Sequence, residues 1–384
     1  MSFFDGDTQT DRFKKTAQLM ESLVDQMDLP YLEVLAFQGT RQVFHKTIKP
    51  ADCDGRDKLL MFSCTKPVTA VCAMQLVERG VISLEDKLVD YVPAFAESYF
   101  VDENGQKQVV GGDITLRHLL TMSAGLDYNL MRKPEVLELL QRCPDANTEQ
   151  MVDAIAKSPL KFRPGERFLY SLCHDVLARV IEVVSGTKFS EYVKENVFVP
   201  LGMRDSGFRM DDPDRMLPLF TGEKGFVEPK ECNNTYLVPT TEYDSGGAGM
   251  ISTAADYAMF AVALANGGVG ANGNRIISRE SIDRMHQVEI SVNDLKCEFT
   301  CVQGKDYSYG LGVRTRTRPT EWGLSVGEFG WDGAAGSYLM VDPVRNISVV
   351  IGMHLAGWTA MFMDKHLELV KQIYEEFPAG NDSV

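Results

Sequence analysis

The sequence predicts an α/β protein of the α+β type, with one sheet built from both ends of the chain and a mostly helical domain inserted between them. Period-two or wholly apolar runs, which are typical of strands, occur at residues 31–37, 43–48, 309–315, 337–341 and 347–353. The interval between these two groups carries short helical patterns instead. We therefore expect a discontinuous sheet domain, residues 1–80 and 245–384, and a mostly helical domain, residues 81–244.

Apolar residues recur at helical spacing along most of the chain. The first helix is predicted from its apolar residues, which are Phe13, Ala17, Met20, Val24 and Met27. The expected helices span residues 8–28, 63–80, 115–122, 134–142, 148–157, 174–185, 189–197, 254–266 and 359–376. Turn segments at residues 38–41 and 342–346 join the strands on either side of them into hairpins.

Composition bounds the partners of this chain. Its 384 residues, 44% hydrophobic and 24% charged, are ordinary for a globular protein with a large core. A formal net charge of -15 argues against binding to a nucleic-acid backbone and against adhesion to an anionic membrane. No run approaches the roughly 18 apolar residues needed to span a bilayer. Residues 1–7 lack the basic and apolar regions of a secretory signal, so we expect a cytoplasmic protein.

The eight cysteines are scattered, and none is paired at C-x-x-C spacing. Cys297 and Cys301 are the nearest approach to a pair of metal ligands, but no second pair of cysteines or histidines follows them. We therefore expect free thiols and no metal site.

A serine and a lysine three residues apart open one of the predicted helices. Pro67 is tolerated only near a first helical turn, which places Ser63 and Lys66 in that turn and on one face. The same spacing occurs at residues 158–161 and 185–188, but neither of those serines opens a helix. Ser63 is then either a simple N-cap or a nucleophile within reach of a base.

Several segments resemble those of β-lactamase-related serine hydrolases, in the order in which that family has them. They are the S-x-x-K segment and the blocks ITLRHLLTMSAGL (114–126), FRPGERFLYS (162–171), FVPLGM (198–203), GGAGMISTAAD (246–256) and YGLG (309–312). The resemblance covers about residues 30–355. It implies a β-lactamase/D,D-peptidase-like fold, an antiparallel sheet flanked by helices, with the active site between the sheet and the helical domain.

The resemblance also implies that Tyr170 acts in proton transfer beside Ser63 and Lys66. A serine hydroxyl is a poor nucleophile until a base removes its proton. Either Tyr170 or Lys66 could be that base. A neighbouring ammonium would favour the phenolate form of Tyr170, and partial burial would push Lys66 toward its neutral form.

Two positions depart from the β-lactamases and D,D-peptidases, and the combination resembles the carboxylesterase branch of the family. Leu172 stands where their Y-x-N block has an amide, and Trp331 stands where their third motif has a cation. Apolar and aromatic groups at these positions favour a neutral acyl or alcohol group over an anionic peptide end. Gly333 closes the same third motif. The N–H of Ala334 after it, with that of Ser63, is the expected oxyanion hole.

Four polar residues near these motifs are expected to be structural, namely Cys64, His118, His174 and Asp175. We interpret Asp175 as an ordinary charge in the first turn of a helix, where the helix dipole favours it. Cys64 is interpreted as a small packing residue.

A rival nucleophile is Ser325, in a GLSVG segment that matches the G-x-S-x-G elbow. Asp342 and either His354 or His366 follow it in the order that such triads use. An elbow needs a helix directly after its serine, whereas residues 328–333 are too rich in glycine for one. Ser325 is therefore expected to be a loop or strand-end residue.

The predicted activity is hydrolysis of a small-molecule carboxylic ester through an acyl-enzyme on Ser63, with no cofactor. Two enzymatic alternatives use the same residues. One is a β-lactamase or D,D-peptidase, and the other is an acyltransferase that passes the acyl group to an alcohol or amine. A binding protein with a relic site is the non-enzymatic alternative. The physiological ester, its acyl chain length and the oligomeric state stay open, as does promiscuous β-lactam turnover.

Overall fold

The structure is a computed structural model that describes residues 11–27, 29–49, 51–223, 226–230, 234, 237–290, 306–356 and 359–377. The described strands are β1 (Leu32–Gln38), β2 (Arg41–Ile48), β3 (Lys58–Leu60), β4 (Tyr99–Val101), β5 (Lys107–Val109), β6 (Leu219–Glu223), β7 (Phe226–Lys230), β8 (Ile251–Thr253), β9 (Tyr307–Tyr309), β10 (Arg314–Arg316), β11 (Phe329–Asp332), β12 (Tyr338–Asp342), β13 (Ile347–Gly352) and β14 (Leu355–Ala356). The described helices are α1 (Lys14–Met27), α2 (Thr65–Glu78), α3 (Leu116–Leu120), α4 (Pro134–Arg142), α5 (Thr148–Ala156), α6 (Cys173–Ser185), α7 (Phe189–Val193), α8 (Val199–Leu201), α9 (Ala254–Ala265), α10 (Arg279–Met285) and α11 (Thr359–Glu376). The Cys297 and Cys301 pair lies outside the described residues.

Seven strands form one antiparallel sheet in the order β2-β1-β13-β12-β11-β10-β9. β1 and β2 come from the N-terminal end of the chain, and the other strands of this sheet come from the C-terminal end. The predicted fold class, a sheet built from both ends with helices between, is confirmed. The predicted domain boundaries at residues 80 and 245 stay a prediction.

The predicted strand over residues 309–315 is wrong as a single element. β9 ends at Tyr309 and β10 begins at Arg314, and the two strands pair antiparallel across a tight reversal. Gly312 in this reversal has a φ of 81°, a conformation that side chains with a Cβ rarely adopt. Gly310 and Gly312 interrupt this run, and glycine at both positions favours a reversal over a continuous strand.

The predicted helices are present with shifted ends. Several elements were not predicted, namely α8, α10, the strands β3, β8, β11 and β14, and two hairpins. α7 continues through a π-helical turn, Lys194–Phe198, into α8. The hairpins β4–β5 and β6–β7 lie within the mostly helical middle of the chain. Strands as short as the three residues of β4 and β5 carry no readable alternation.

The two faces of the large sheet carry different helices. α1 covers one face, where Lys46 of β2 pairs with Glu21. α9 covers the other face so closely that a Cβ on Gly352 would come within 3.1 Å of Ala254. Side chains alternate along a strand, so Trp331 of β11 points to the same face as α2 and α9.

Pairing of β3 with β8 sets the start of α2 against the glycine-rich segment at residues 245–249. The N–H of Met61 donates to the carbonyl of Met250 at 2.9 Å, and the Thr69 hydroxyl donates to the carbonyl of Gly246 at 2.6 Å. This segment therefore runs alongside the first turns of α2. In the described part of the chain, no helix is both long and apolar enough to cross a membrane.

Candidate active site

Ser63 lies in a short 3-10 turn, Phe62–Cys64, that joins β3 to α2. Phe62 has a φ of 46°, in the left-handed region that residues other than glycine rarely adopt. A residue held in this way persists only where the surrounding structure fixes it, and such residues cluster at functional sites. The turn places Ser63 at the N-terminal end of α2 with 7% of its surface exposed. The predicted start of the helix near Ser63 is confirmed.

Lys66 is fully buried beside Ser63. Its Nζ lies 3.1 Å from Ser63 Oγ, 2.7 Å from the carbonyl oxygen of Gly247 and 3.4 Å from the hydroxyl of Tyr128. Burial lowers the pKa of Lys66 to about 7, although the Asp175 carboxylate opposes this change. Near neutral pH, a substantial fraction of Lys66 is therefore an uncharged amine that can accept a proton.

Tyr170 contacts the same serine from another side. Its hydroxyl donates to Ser63 Oγ at 2.6 Å, and the indole N–H of Trp331 donates to the Tyr170 oxygen at 3.2 Å. Burial, with the nearby Tyr128, raises the pKa of Tyr170 well above its ordinary value. Of the two bases that the sequence leaves open, the raised pKa disfavours the phenolate of Tyr170, because burial outweighs the effect of a neighbouring ammonium. The expectation of a neutral Lys66 agrees with its lowered pKa.

Sequence reasoning missed Tyr128, whose ring stacks on Tyr170 at a centroid distance of 5.2 Å and an interplanar angle of 8°. The loop that carries Tyr128 is held at Asp127. The Asp127 carboxylate pairs with Lys133 at 2.8 Å, and the Asp127 carbonyl accepts the N–H of Leu172 at 3.2 Å. No local pattern predicts the contact with Lys66, because it depends on how this loop folds over the start of α2.

Gly333 and Ala334 lie in the turn between β11 and β12, next to the segment that carries Ser63. A Cβ on Gly333 would lie 2.5 Å from the carbonyl oxygen of Met61, so this close approach requires glycine. Ala334 is exposed beside this contact. The predicted oxyanion donors thus lie on neighbouring segments, and their role stays a prediction.

Leu172 and Trp331 are both nearly buried, with 2% and 3% of their surfaces exposed. The contacts that the structure shows for them are with protein groups. Leu172 donates its N–H to Asp127, and Trp331 donates its indole N–H to Tyr170. Their predicted contact with the substrate stays a prediction.

Ser325 does not have the geometry of a nucleophile elbow. It lies in a loop before β11 rather than before a helix, and its backbone N–H donates to Asp342 at 3.2 Å. Both ring nitrogens of His354, and Nε2 of His366, contact backbone groups instead of Asp342 or Ser325. The prediction that Ser325 is a loop residue is confirmed.

Asp175 lies in the first turn of α6, as expected, but only 1% of its surface is exposed. It accepts hydrogen bonds from the hydroxyls of Tyr243 at 2.7 Å and Ser245 at 2.6 Å. The interpretation of Asp175 as an ordinary helix-end charge is therefore incomplete, since this carboxylate belongs to a buried network beside Lys66.

The other three residues interpreted as structural are either fully buried or hydrogen-bonded to the backbone. His118 accepts the N–H of Thr115 through Nδ1 at 3.2 Å in a capping box at the start of α3. His174 and Cys64 are fully buried, and the thiol of Cys64 donates to the Ser337 carbonyl at 3.4 Å. Among the described cysteines, Cys64, Cys72, Cys143 and Cys173 are free thiols. Within the described ranges, no group of three or more His, Cys, Asp or Glu side chains could hold a metal ion.

Comparison with known proteins agrees with this geometry. A family model described as Beta-lactamase matches residues 16–371. An uncharacterized protein of Mycobacterium tuberculosis is 28% identical over 318 residues, which are 76% of this chain and 76% of that protein. Esterase EstB of Burkholderia gladioli is 32% identical over 219 residues, which are 50% of this chain and 53% of EstB.

A solved structure shows the same fold. EstCE1, described as a hydrolase with promiscuous acyltransferase activity, superposes with a TM-score of 0.76 at 23% identity. The superposition covers 95% of this chain and 99% of EstCE1. The family match spans most of the chain and includes all the residues that surround Ser63. This protein belongs to the beta-lactamase family, whose members are serine hydrolases.

Proposed function

We propose that this protein is a serine esterase that cleaves carboxylic esters through an acyl-enzyme on Ser63. The observation that carries the proposal is the position of Ser63 Oγ, 3.1 Å from Lys66 Nζ and 2.6 Å from the Tyr170 hydroxyl. A nucleophile with a base and an acid both within hydrogen-bond reach is what acyl transfer requires.

We take Lys66 as the base, and its lowered pKa and its distance from Ser63 support this choice. Tyr170 stays protonated and donates a hydrogen bond to Ser63 Oγ. The proton of Ser63 must therefore go to another acceptor. The neutral amine of Lys66 offers a lone pair at 3.1 Å. In the attack on the ester carbonyl, Ser63 forms the new C–O bond and its proton passes to Lys66.

Collapse of the tetrahedral intermediate breaks the bond to the alcohol, and the leaving oxygen needs a proton. Tyr170 is the acid closest to Ser63 and supplies that proton, after which its phenolate lies beside the Lys66 ammonium. Transfer of a proton from Lys66 to Tyr170 restores both groups. Water then attacks the acyl carbonyl by the same route and releases the acid.

The carbonyl oxygen gains negative charge in both steps. We assign its stabilisation to the backbone N–H groups of Ser63 and Ala334, with Gly333 allowing the turn to approach Met61. These roles need neither a metal nor a cofactor.

The surroundings of Ser63 support a neutral substrate. The ring of Tyr170 packs against the rings of Tyr128 and Trp331 beside the nucleophile. Aromatic surface of this kind favours contact with apolar acyl and alcohol groups. Similarity to esterase EstB also supports the proposal. A β-lactamase or D,D-peptidase has a cation for the substrate carboxylate at the position of Trp331.

The test is hydrolysis of p-nitrophenyl acetate, butyrate and octanoate, and of a chromogenic cephalosporin, by wild type, Ser63→Ala and Ser325→Ala. We expect ester turnover to fall by about 10⁴-fold or more in Ser63→Ala only, with little cephalosporin cleavage. Loss confined to Ser325→Ala would contradict the proposal, and rapid cephalosporin turnover would favour a β-lactamase.

Acyl transfer to an alcohol or amine uses the same site and differs in whether the acceptor outcompetes water. Adding an alcohol acceptor to the p-nitrophenyl butyrate assay separates the two activities, since a transferase gives the new ester rather than butyrate. A chain in which a fluorophosphonate does not label Ser63 would instead be a binding protein with a relic site.

A further inference from the structure

Asp175 is a buried carboxylate that the proton route above does not use. Its Oδ1 accepts two hydrogen bonds, from the hydroxyls of Tyr243 and Ser245, at 2.7 Å and 2.6 Å. Both of these residues are themselves buried. Burial raises the pKa of Asp175 above its ordinary value, and the charge of Lys66 and the two hydroxyl donors oppose this rise by favouring the ionised carboxylate.

The second oxygen of Asp175 and the nitrogen of Lys66 approach the same backbone position. A Cβ placed on Gly247 would lie 2.5 Å from Asp175 Oδ2 and 3.4 Å from Lys66 Nζ. The carbonyl of Gly247 accepts a hydrogen bond from Lys66 at 2.7 Å. Asp175 holds this segment through Ser245, and Lys66 contacts it through Gly247.

We infer that Asp175 is a positioning residue for the reaction, because it fixes the Gly247 carbonyl against Lys66 and supplies the negative charge that stabilises the Lys66 ammonium. The ammonium forms when Ser63 loses its proton, so the charge of Asp175 acts at the step that activates the nucleophile. The inference rests on the proposed function in that it takes Lys66 as the base.

Burial favours the neutral form of five other ionisable groups near this pair. Burial raises the pKa values of Cys64, Cys173, Tyr170 and Tyr243, and it lowers the pKa of His174. Within the described ranges, Asp175 is then the one carboxylate that acts on Lys66. Removing its charge should change the proton affinity of Lys66 without a compensating carboxylate.

The negative charge of Asp175 has two opposing effects on the rate at which Ser63 reacts. It makes Lys66 a stronger base, which favours removal of the Ser63 proton, but it also keeps more Lys66 protonated at low pH. Without the charge, the rate should fall most at high pH, where Lys66 is neutral in both proteins. The rates of wild type and variant should converge as the pH decreases.

The experiment compares wild type with Asp175→Asn, which keeps the shape and one acceptor oxygen and removes the charge. Two readouts are needed: the NMR titration of Lys66 in protein labelled with [¹³C]lysine, assigned with Lys66→Arg, and the pH dependence of Ser63 labelling by a fluorophosphonate. We expect the midpoint of both curves to move to lower pH by about one pH unit or more in Asp175→Asn. We expect the labelling rate above the midpoint to fall as well.

Tyr243→Phe gives a second test that does not depend on folding of the Asn variant. It removes one donor to Asp175, which raises the pKa of that carboxyl and reduces its negative charge, so both midpoints should move in the same direction by a smaller amount. Asp256→Asn is the matched control. Asp256 is also a buried carboxylate near a helix start, but its partners are the Asp205 N–H and the Ser206 hydroxyl. The midpoints of the Lys66 titration and of Ser63 labelling in Asp256→Asn should equal those of wild type.

A uniform loss of rate in Asp175→Asn, with both midpoints unchanged, would overturn the inference and leave Asp175 a purely structural residue. Absence of ester turnover, with the Lys66 titration shifted as expected, would contradict the proposed function and leave this inference standing. The titration needs no substrate, so the two failures are distinguishable.

Discussion

Two buried charged groups lie on opposite faces of the large sheet and behave differently. On the face covered by α2, burial lowers the pKa of Lys66 to about 7, and Asp175 only partly opposes it. On the other face, Arg314 of β10 is also fully buried, and its guanidinium lies 2.9 Å from Asp332 and 3.5 Å from Glu328. Burial lowers the pKa of Arg314, but its acidic neighbours raise it above its ordinary value.

The pKa values of Lys66 and Arg314 move in opposite directions because different groups contact the two cations. Lys66 makes its hydrogen bonds to hydroxyls and a carbonyl, which stabilise an ammonium less than a carboxylate in contact would. Arg314 pairs with two carboxylates, and a guanidinium does not lose its proton in proteins. A buried cation with neutral partners is therefore close to its titration point and suited to chemistry, whereas a buried cation with paired charges serves the stability of the sheet.

Lys66→Arg tests whether turnover requires a cation at this position that can lose its proton. The variant keeps a positive charge near Ser63 but cannot become a neutral base, so ester turnover should fall by about 10³-fold or more. Measurement of kcat/KM for p-nitrophenyl butyrate between pH 5 and 9 checks this. The wild-type value should rise with pH through about 7 as Lys66 loses its proton. Activity within tenfold of wild type would show that Lys66 is not the base.

Arg314→Met tests whether the paired cation stabilises the folded protein. Removing the guanidinium leaves Asp332 and Glu328 without their cation, which should lower the free energy of unfolding by about 3–5 kcal/mol. Urea unfolding at pH 7 measures the loss. Arg314→Lys, which keeps a charge but not the planar fork, should lose less. Unchanged stability in Arg314→Met would mean that these carboxylates are neutral in the folded protein.

Trp331→Phe tests the hydrogen bond that Trp331 donates to Tyr170 on the same face of the sheet as Lys66. It keeps an aromatic ring beside Tyr170 and removes the N–H that donates to the Tyr170 oxygen, so turnover should fall by about tenfold. The matched control is Trp322→Phe. Trp322 packs on Tyr374 of α11, on the other face of the sheet, and this variant should turn over esters as wild type does. Equal losses in both variants would argue against a specific role for the Trp331 N–H.

Lys66→Met tests whether the reactive cation costs stability. The folded pKa of Lys66 lies below its value in an unfolded chain, so the unfolded state binds more protons between pH 7 and about 10. The contribution of Lys66 to stability therefore increases with pH over this interval. At pH 7 we expect Lys66→Met to be more stable by about 1 kcal/mol, with a smaller difference at pH 9. Thermal unfolding at both pH values checks the sign, and a less stable variant at pH 7 would contradict it.

Elements that depend on local chemistry could be predicted from the sequence. Pro67 restricts where the helix can start, and the spacing of Ser63 and Lys66 places both side chains on one face of its first turn. Strand patterns at the two ends predicted that the sheet would combine them. The block that contains Tyr170 identified the third member of the site only through resemblance to a family, because a single aromatic residue carries no signal of its own.

Contacts between distant segments, and the charge states that follow from them, could not be predicted because they arise from packing. Tyr128 reaches Lys66 from a loop 62 residues away, and the Gly247 carbonyl reaches it from 181 residues away. The protonated state of Tyr170 and the burial of Asp175 also follow from packing. A pKa depends on how much water surrounds a group and on which charges lie within a few ångströms. Neither quantity is a property of local sequence, and both appear only when the chain has folded.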